Sequence, residues 1–372
     1  MNMKHNKIEE IIPLLHKIME RENLTTEEAH KIFTTIIKKD REGYFFTAFF
    51  TAISSKGETA EELYGLCRAL SEFCPKLDVG LDPNTVTDLS GTGGSKLKTI
   101  NVSTAASFIV ASSEDIKVAK QAFPGITSPT GSADIFQAFG INVFSVSREL
   151  VKECLHKVGI VPYNVVFSLA EGIDNLRNFG RLQFEKGLAI RTPMHLIANI
   201  FSPIEMKRRI YGMFSENYLH VIAELLQKMG YEKGIVFHGR DGLCEISNIG
   251  PTKIVEFDKN KREEYIVNPE DFGIKRAKYE NIKATNPEQN IIDFLRILSG
   301  REKGAKADIV FLNAGASLYV MEKVRDIKDG IEMAKNLIEA GNPLKKLTEL
   351  VSLIGDKEKL EMWKEKAGIG GG

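Results

Sequence analysis

Apolar residues recur at three- to four-residue spacing over 6–20, 26–38, 43–55 and 59–73, which predicts four amphipathic helices at the start of the chain. Thr25 and Thr59 each precede a first turn that carries glutamate, a capping signal. Pro75 and Pro83 then bracket a linker. From 85 to 170 the pattern changes. Short apolar runs at 85–90, 116–120, 141–145 and 164–168 alternate with helical spacing over 102–112, 131–139 and 147–157. Such alternation predicts a mainly parallel sheet. Residues 172–215 return to helical spacing, 234–238 read as a buried strand, and 252–270 read as strands around a charged hairpin from Asp258 to Glu264. Helices near 288–299, 313–323, 328–340 and 343–353 complete the pattern. The expected fold class is α/β: a small N-terminal helical domain plus a larger α/β domain, with a mainly parallel central sheet and helices on both sides.

Composition narrows the function. A chain of 372 residues suffices for two domains and a large core. Its 50 basic and 50 acidic side chains cancel, so no global field points to nucleic acid or an anionic membrane. No apolar run approaches the roughly 20 residues that cross a bilayer, and the polar start lacks a signal peptide's apolar segment. A cytoplasmic location is expected. Cys67, Cys74, Cys154 and Cys244 form no C-x-x-C pair, and the seven histidines show no H-E-x-x-H spacing. Zinc and redox motifs are therefore without support.

The candidate chemistry sits in two glycine- and hydroxyl-rich segments. The first breaks from a short strand into Gly91-Thr-Gly-Gly94 and enters a helix at Asn101-Val-Ser-Thr104. Glycines let backbone N–H groups approach a phosphate, and the free N–H groups of a helix start favour negative charge. The loop is neither a Walker A sequence nor Gly-x-Gly-x-x-Gly. The second runs from Lys117 to Asp134, with Lys120 ending a strand and Ser128-Pro-Thr-Gly131-Ser-Ala-Asp134 opening a helix. Two such loops with a lysine between them suit a ligand carrying two phosphate groups.

Together these segments resemble the anthranilate phosphoribosyltransferase family, glycosyltransferases with a nucleoside-phosphorylase-like fold. There, a Gly-Thr-Gly-Gly loop, an Asn-x-Ser-Thr helix start and a Lys…Ser-Gly-Ser-Ala-Asp segment bind phosphoribosyl pyrophosphate (PRPP). Similar stretches follow in family order across nearly the whole chain: 22–30, 56–62, 187–192, 212–215, 238–247, 269–273 and 312–318. The resemblance implies a helical domain of residues 1–76, joined in space by part of 172–215, and an α/β domain of 77–171 and 216–372. It implies PRPP contacts at Gly91, Gly93, Gly94, Ser95, Thr99, Asn101, Ser103, Thr104, Lys120, Ser128 and Ser132. It also implies Mg²⁺ as cofactor, with Ser103 and Glu245 as metal contacts, and a homodimer formed through the helical domain.

The chain departs from the family pattern on the chemistry. Ser95 replaces the aspartate that usually ends the glycine loop, and Cys244-Glu245 replaces an Asp-Glu metal pair. A thiol is a poor Mg²⁺ ligand, and Asp241 lies three residues upstream as a possible substitute. On the acceptor side, Lys120-Gln121-Ala122-Phe123 replaces Lys-His-Gly-Asn, and Ala198 to Pro203 replaces Gly-Pro-Leu-Thr-Asn-Pro. The arginine that pairs with anthranilate's carboxylate falls on Glu185, with Arg181 or Arg177 able to take its place. The expected acceptor pocket is Gln121, Phe123, Arg181 and Glu185. A carboxylate there repels anthranilate. The expected activity is therefore pentosyl transfer from PRPP, or a related ribosyl phosphate, to an acceptor other than anthranilate, with no catalytic residue assigned. The alternatives are an anthranilate phosphoribosyltransferase proper, a phosphorylase-like enzyme, and a non-catalytic homologue that binds a phosphate ligand or nucleic acid. The neutral charge balance argues against nucleic acid and membrane partners.

Overall fold

In the computed structural model, which describes residues 7–125, 130–185 (182–185 by backbone alone) and 191–369, the first helices form where spacing predicts them. They are α1 (Ile12–Met19), α2 (Thr26–Lys39), α3 (Tyr44–Lys56) and α4 (Ala60–Ser71). Thr25 and Thr59 close full capping boxes with Glu28 and Glu62. Glu62 is buried, so its carboxylate needs partners. It accepts from the Leu24 and Thr59 amides, both at 2.9 Å, and from Lys56 at 3.1 Å. The cap thereby also ties α4 to the start of α2.

The α/β part runs β1 (Val86–Thr87), α5 (Val102–Ala111), β2 (Lys117–Gln121), α6 (Ser132–Ala138), α7 (Arg148–Lys157) and β3 (Ile160–Tyr163). Next come α8 (Asp174–Glu185), α9 (Pro193–Ile197), β4 (Arg208–Gly212), α10 (Leu219–Lys228), β5 (Lys233–Gly239), β6 (Thr252–Asp258) and β7 (Arg262–Val267). The chain closes with α11 (Pro287–Leu298), α12 (Ala305–Val320), α13 (Ile327–Glu339), α14 (Asn342–Ile354) and α15 (Lys357–Lys366). Among the described residues no helix is long and apolar enough to cross a membrane.

Four local expectations need correction. Residues 141–145 form turns, because Asn142 accepts the Phe144 amide at 3.0 Å. The strand expected at 164–168 lies at 160–163; Asn164 then accepts the Phe167 amide at 3.2 Å and coils 165–169 into a π-turn. The stretch 172–215 contains β4, hidden by two arginines at its start, and α12 begins eight residues before the expected 313. Helix α15 was not legible either, since Leu360 is its one buried residue.

Strands β1, β2 and β3 pair in parallel in that order, and β4 pairs in parallel with β5, followed by an antiparallel β5–β6–β7 ribbon. The halves meet edge to edge. Thr87 Oγ1 donates to the Arg208 carbonyl at 3.0 Å, and Gly91 bridges Gly212 in parallel. Six of the seven residues of β5 are buried, as expected of a strand covered on both faces. From β1 the chain steps one way along the sheet to β2, and from β4 the other way to β5. That reversal makes the carboxyl ends of β1 and β4 a topological switch point, where open α/β sheets bind ligands. Helix α8 returns to the N-terminal helices: Phe179 stacks on Phe46 at 5.1 Å, and Asn175 Nδ2 donates to the Ile37 carbonyl at 2.9 Å.

Candidate active site

The glycine loop leaves β1 at that switch point and is fixed from four sides. Thr92 N donates to the Gly212 carbonyl at 2.8 Å, and Asn199 Nδ2 donates to the Gly91 carbonyl at 2.7 Å. Lys96 N donates to the Gly242 carbonyl at 3.0 Å, and Ala284 N donates to the Lys98 carbonyl at 3.0 Å. Gly93 and Gly94 take left-handed conformations, at φ +66° and +74°, that other residues resist. Close approach governs Gly212: a Cβ there would stand 1.8 Å from the Cys244 carbonyl oxygen. The loop after β4, the loop after β5 and the glycine loop thus touch backbone to backbone.

Ser95 joins the glycine loop to the β5 loop, since its Oγ accepts the Cys244 amide at 3.0 Å. Lys98 reaches back with its ammonium to the Ser95 carbonyl. Thr99 bridges Lys283 in antiparallel fashion, which holds the second half of the loop against residues 279–284. Asn101 stands at the N-cap position of α5 without a side-chain capping bond; Ser103 is part-exposed in the first turn, and Thr104 is buried with no hydrogen-bond partner for its Oγ1.

Beneath the loop lies a buried ion cluster that sequence reading did not anticipate. Asp88 Oδ2 accepts from Arg209 at 3.1 Å, and Asp88 Oδ1 accepts from Ser90 Oγ at 2.7 Å. Lys120, only 2% exposed, donates to Ser90 Oγ at 3.1 Å and stands 3.9 Å from Asp88. Two cations share one carboxylate. Burial pushes the Lys120 ammonium below its ordinary pKa, Asp88 opposes the shift, and Arg209 adds to it. The polar pair at 208–209 was the only sequence signal for Arg209.

Where the resemblance expects a metal, the Ile246 amide donates to Asn313 Oδ1 at 3.0 Å, which anchors the turn carrying Glu245 to α12. Glu245 Oε2 is closed off from solvent yet has no hydrogen-bond partner. Burial, and next the neighbouring Asp241, push its carboxyl up to about 7. An orphaned carboxylate oxygen fits a hard cation. Among the described residues, no three His, Cys, Asp or Glu side chains gather to hold a metal by themselves. Asp241 accepts from Ser247 Oγ and from the Leu243 amide at 3.0 Å, which closes its own turn. Cys244 Sγ donates to the Gly93 carbonyl at 3.3 Å, and burial pushes the thiol up to about 12. It is a structural thiol facing the glycine loop.

On either side of 126–129, Asp134 Oδ2 accepts the Gly125 and Gly131 amides at 2.9 and 2.7 Å. Ser132 Oγ accepts the Phe123 amide at 3.1 Å. Ser128 and the side chain of Glu185 lie outside the described residues. The expected acceptor residues divide. Gln121 is a correction: it is fully buried, donates to the Phe201 carbonyl at 2.7 Å and accepts the Val165 amide at 3.3 Å. Its amide braces the sheet from the inside. Phe123 is half-buried beside the second loop. Arg177 binds the Val166 and Ala170 carbonyls at 2.9 and 2.6 Å, while Arg181 is exposed on α8 and reaches Asn178 at 3.4 Å. Arg191, not anticipated, packs 4.0 Å over the Phe214 ring and reaches the Gly94 carbonyl at 3.4 Å.

Comparison with known proteins agrees with this arrangement. Residues 12–74 match the "Glycosyl transferase family, helical bundle domain", and residues 83–344 match the "Glycosyl transferase family, a/b domain". The chain is 34% identical over 342 residues to an anthranilate phosphoribosyltransferase of a Thermoanaerobacter species, covering 91% of this chain and 96% of that one. It is 34% identical over 348 residues to the Bacillus cereus enzyme of the same name, covering 93% and 98%. The crystal structure of anthranilate phosphoribosyltransferase from Thermus thermophilus superposes with a TM-score of 0.81 at 28% identity, covering 91% of this chain and 98% of that one. The Saccharomyces cerevisiae enzyme in complex with PRPP and Mg shares the fold, with a TM-score of 0.82 at 21% identity over 94% of this chain and 99% of that one. With both domains matched in order and identity extending over nine-tenths of the chain, this protein belongs to the glycosyltransferase family of the anthranilate phosphoribosyltransferases.

Proposed function

We propose that this phosphoribosyltransferase takes PRPP as donor and anthranilate as acceptor. The observation that carries the donor half is the glycine loop, held at the sheet's switch point by both flanking loops, with excess buried positive charge beneath it. The name shared by relatives at 34% identity supports anthranilate, and so favours it over the other acceptor expected from sequence. In this reading Gly93, Gly94, Ser103 and Thr104 present N–H and hydroxyl groups to the phosphates, and Asn101, whose backbone N–H is held by Asn290, offers its side-chain NH2. Lys120 and Arg209 raise the potential from below, and Ser132 and Asp134 shape the second loop. The amine nitrogen bonds to the ribose carbon while the pyrophosphate leaves with the electron pair and the amine sheds a proton. Glu245 and Ser103 would hold Mg²⁺, which supplies charge neutralisation for the departing pyrophosphate.

The same reading joins residues 1–76 with part of 172–215 in one domain and 77–171 with 216–372 in the other, supported by the Phe46–Phe179 stack. It includes a cytoplasmic location. A second acceptor is favoured by one observation: Phe123 stands as an apolar wall beside the second loop, where the resemblance expects an amide.

The loss of anthranilate fluorescence with PRPP and Mg²⁺ decides between them. Turnover near about 1 per second or faster is the expected result. PRPP consumption with another amine but not with anthranilate selects the second reading. Calorimetry with PRPP tests the metal assignment: Glu245→Gln is expected to abolish the Mg²⁺ dependence, and Cys244→Asp to tighten it. Mg²⁺ dependence untouched in both variants removes this turn from the site.

A further inference from the structure

One buried side chain links the two loops. Asn290, 1% exposed, lies in the first turns of α11. Its Oδ1 accepts the Asn101 amide at 3.3 Å, and its Nδ2 donates to Asn101 Oδ1 at 2.5 Å and to Thr130 Oγ1. Asn101 opens the helix that follows the glycine loop, and Thr130 stands at the end of the second loop. The amide is required in this orientation. Its oxygen is claimed by a backbone N–H, so the other end has to donate, which a carboxylate of the same shape cannot do.

The mount of Asn290 is stiff. One helical turn further along α11, Phe294 packs edge-on against Phe108 of α5 at 5.8 Å, and against Phe139, at the end of α6, at 6.0 Å. Phe108 in turn meets Phe136 of α6 at 6.2 Å. Three helices thus share one aromatic seam, and Asn290 sits at the end of the seam that faces both loops. Close-packed interiors of this kind transmit displacement.

We propose that Asn290 is a positioning residue that sets the register between the two loops, so that both ends of a sugar bearing a phosphate and a pyrophosphate are held at once. The inference rests on the PRPP reading above for its ligand, but the link itself rests on the hydrogen bonds. Loss of the link misplaces Thr130 against Asn101. Small misplacements of this kind cost far more for a ligand that spans both loops than for one that fills either.

The test uses Thr130→Val, which removes one hydroxyl, and Asn290→Ala, with the double variant closing a cycle. PRPP, ribose 5-phosphate and inorganic pyrophosphate are the calorimetric ligands, with thermal unfolding as the control for stability. Thr130→Val is expected to lower PRPP affinity about tenfold and each fragment's affinity less than about threefold, with the double variant no worse than Asn290→Ala. Equal losses for PRPP and both fragments, or an unchanged PRPP affinity, overturn the proposal, because a merely structural role weakens all three alike. If the wild type binds no PRPP, the functional reading fails by itself and the link is judged with pyrophosphate. Amide exchange across 130–134 that slows on pyrophosphate binding in the wild type but not in Thr130→Val upholds it; exchange that responds alike in both overturns it.

Discussion

At the residue scale, the cluster of Asp88, Lys120 and Arg209 shows how burial sets the charge balance beneath the glycine loop. The sequence marks Lys120 as an expected phosphate contact from its place between two loops. Its burial against Ser90 and Asp88 was not legible, because both partners lie about thirty residues upstream and the competing cation comes from another strand. Desolvation lowers the folded-state pKa of Lys120 below the ordinary 10.5. The unfolded chain therefore binds this proton more tightly than the folded one. The contribution of Lys120 to stability is present above pH 10.5 and falls away as pH drops through its depressed folded value. Lys120→Met is expected to flatten that dependence. Urea denaturation of both proteins at several pH values between neutrality and mild alkali measures it, and parallel curves would sink the idea. The variant is also expected to bind PRPP more weakly, as it removes positive charge beneath the loop.

Elements were legible where their pattern is self-contained. The capping boxes at Thr25 and Thr59 sit in sequence next to the helices they start, so local chemistry alone placed them. Strand β4 was missed because its register comes from pairing with β5 and from contact with the glycine loop, neither of which leaves a local mark. Gly212 ends that strand at the tightest backbone contact in the site. Gly212→Ala places a methyl group inside contact distance of the Cys244 carbonyl, so either β4 or the turn carrying Glu245 has to move. A loss of about 3 kcal/mol in denaturant unfolding is expected, together with weaker PRPP binding. A variant with wild-type stability and affinity would show that the three loops are not mechanically joined.

For the whole molecule, the helical domain carries apolar side chains that its own core does not cover. Met19 is 65% exposed and Tyr44 73%, at the end of α1 and the start of α3. If two copies pair through this domain, as the family resemblance implies, these exposed side chains are the ones to test for the contact. Met19→Glu with Tyr44→Glu is therefore expected to shift sedimentation from dimer to monomer with helix content unchanged; a wild type that already sediments as a monomer refutes the pairing. Read alone, the amino-acid order determined the α/β class, the N-terminal helical set and the two glycine- and hydroxyl-rich segments, because periodicity, caps and glycine-rich turns act over a few residues. Tertiary structure alone decided which of the named side chains are spent on the protein's own groups. It turned Gln121 inward to the backbone, committed Asp241 to its own turn and left Glu245 with an unpaired oxygen. It also brought Asn290 against loops more than a hundred residues away. Such contacts depend on which surfaces the packed helices and the sheet bring together, and that information is spread over the whole chain.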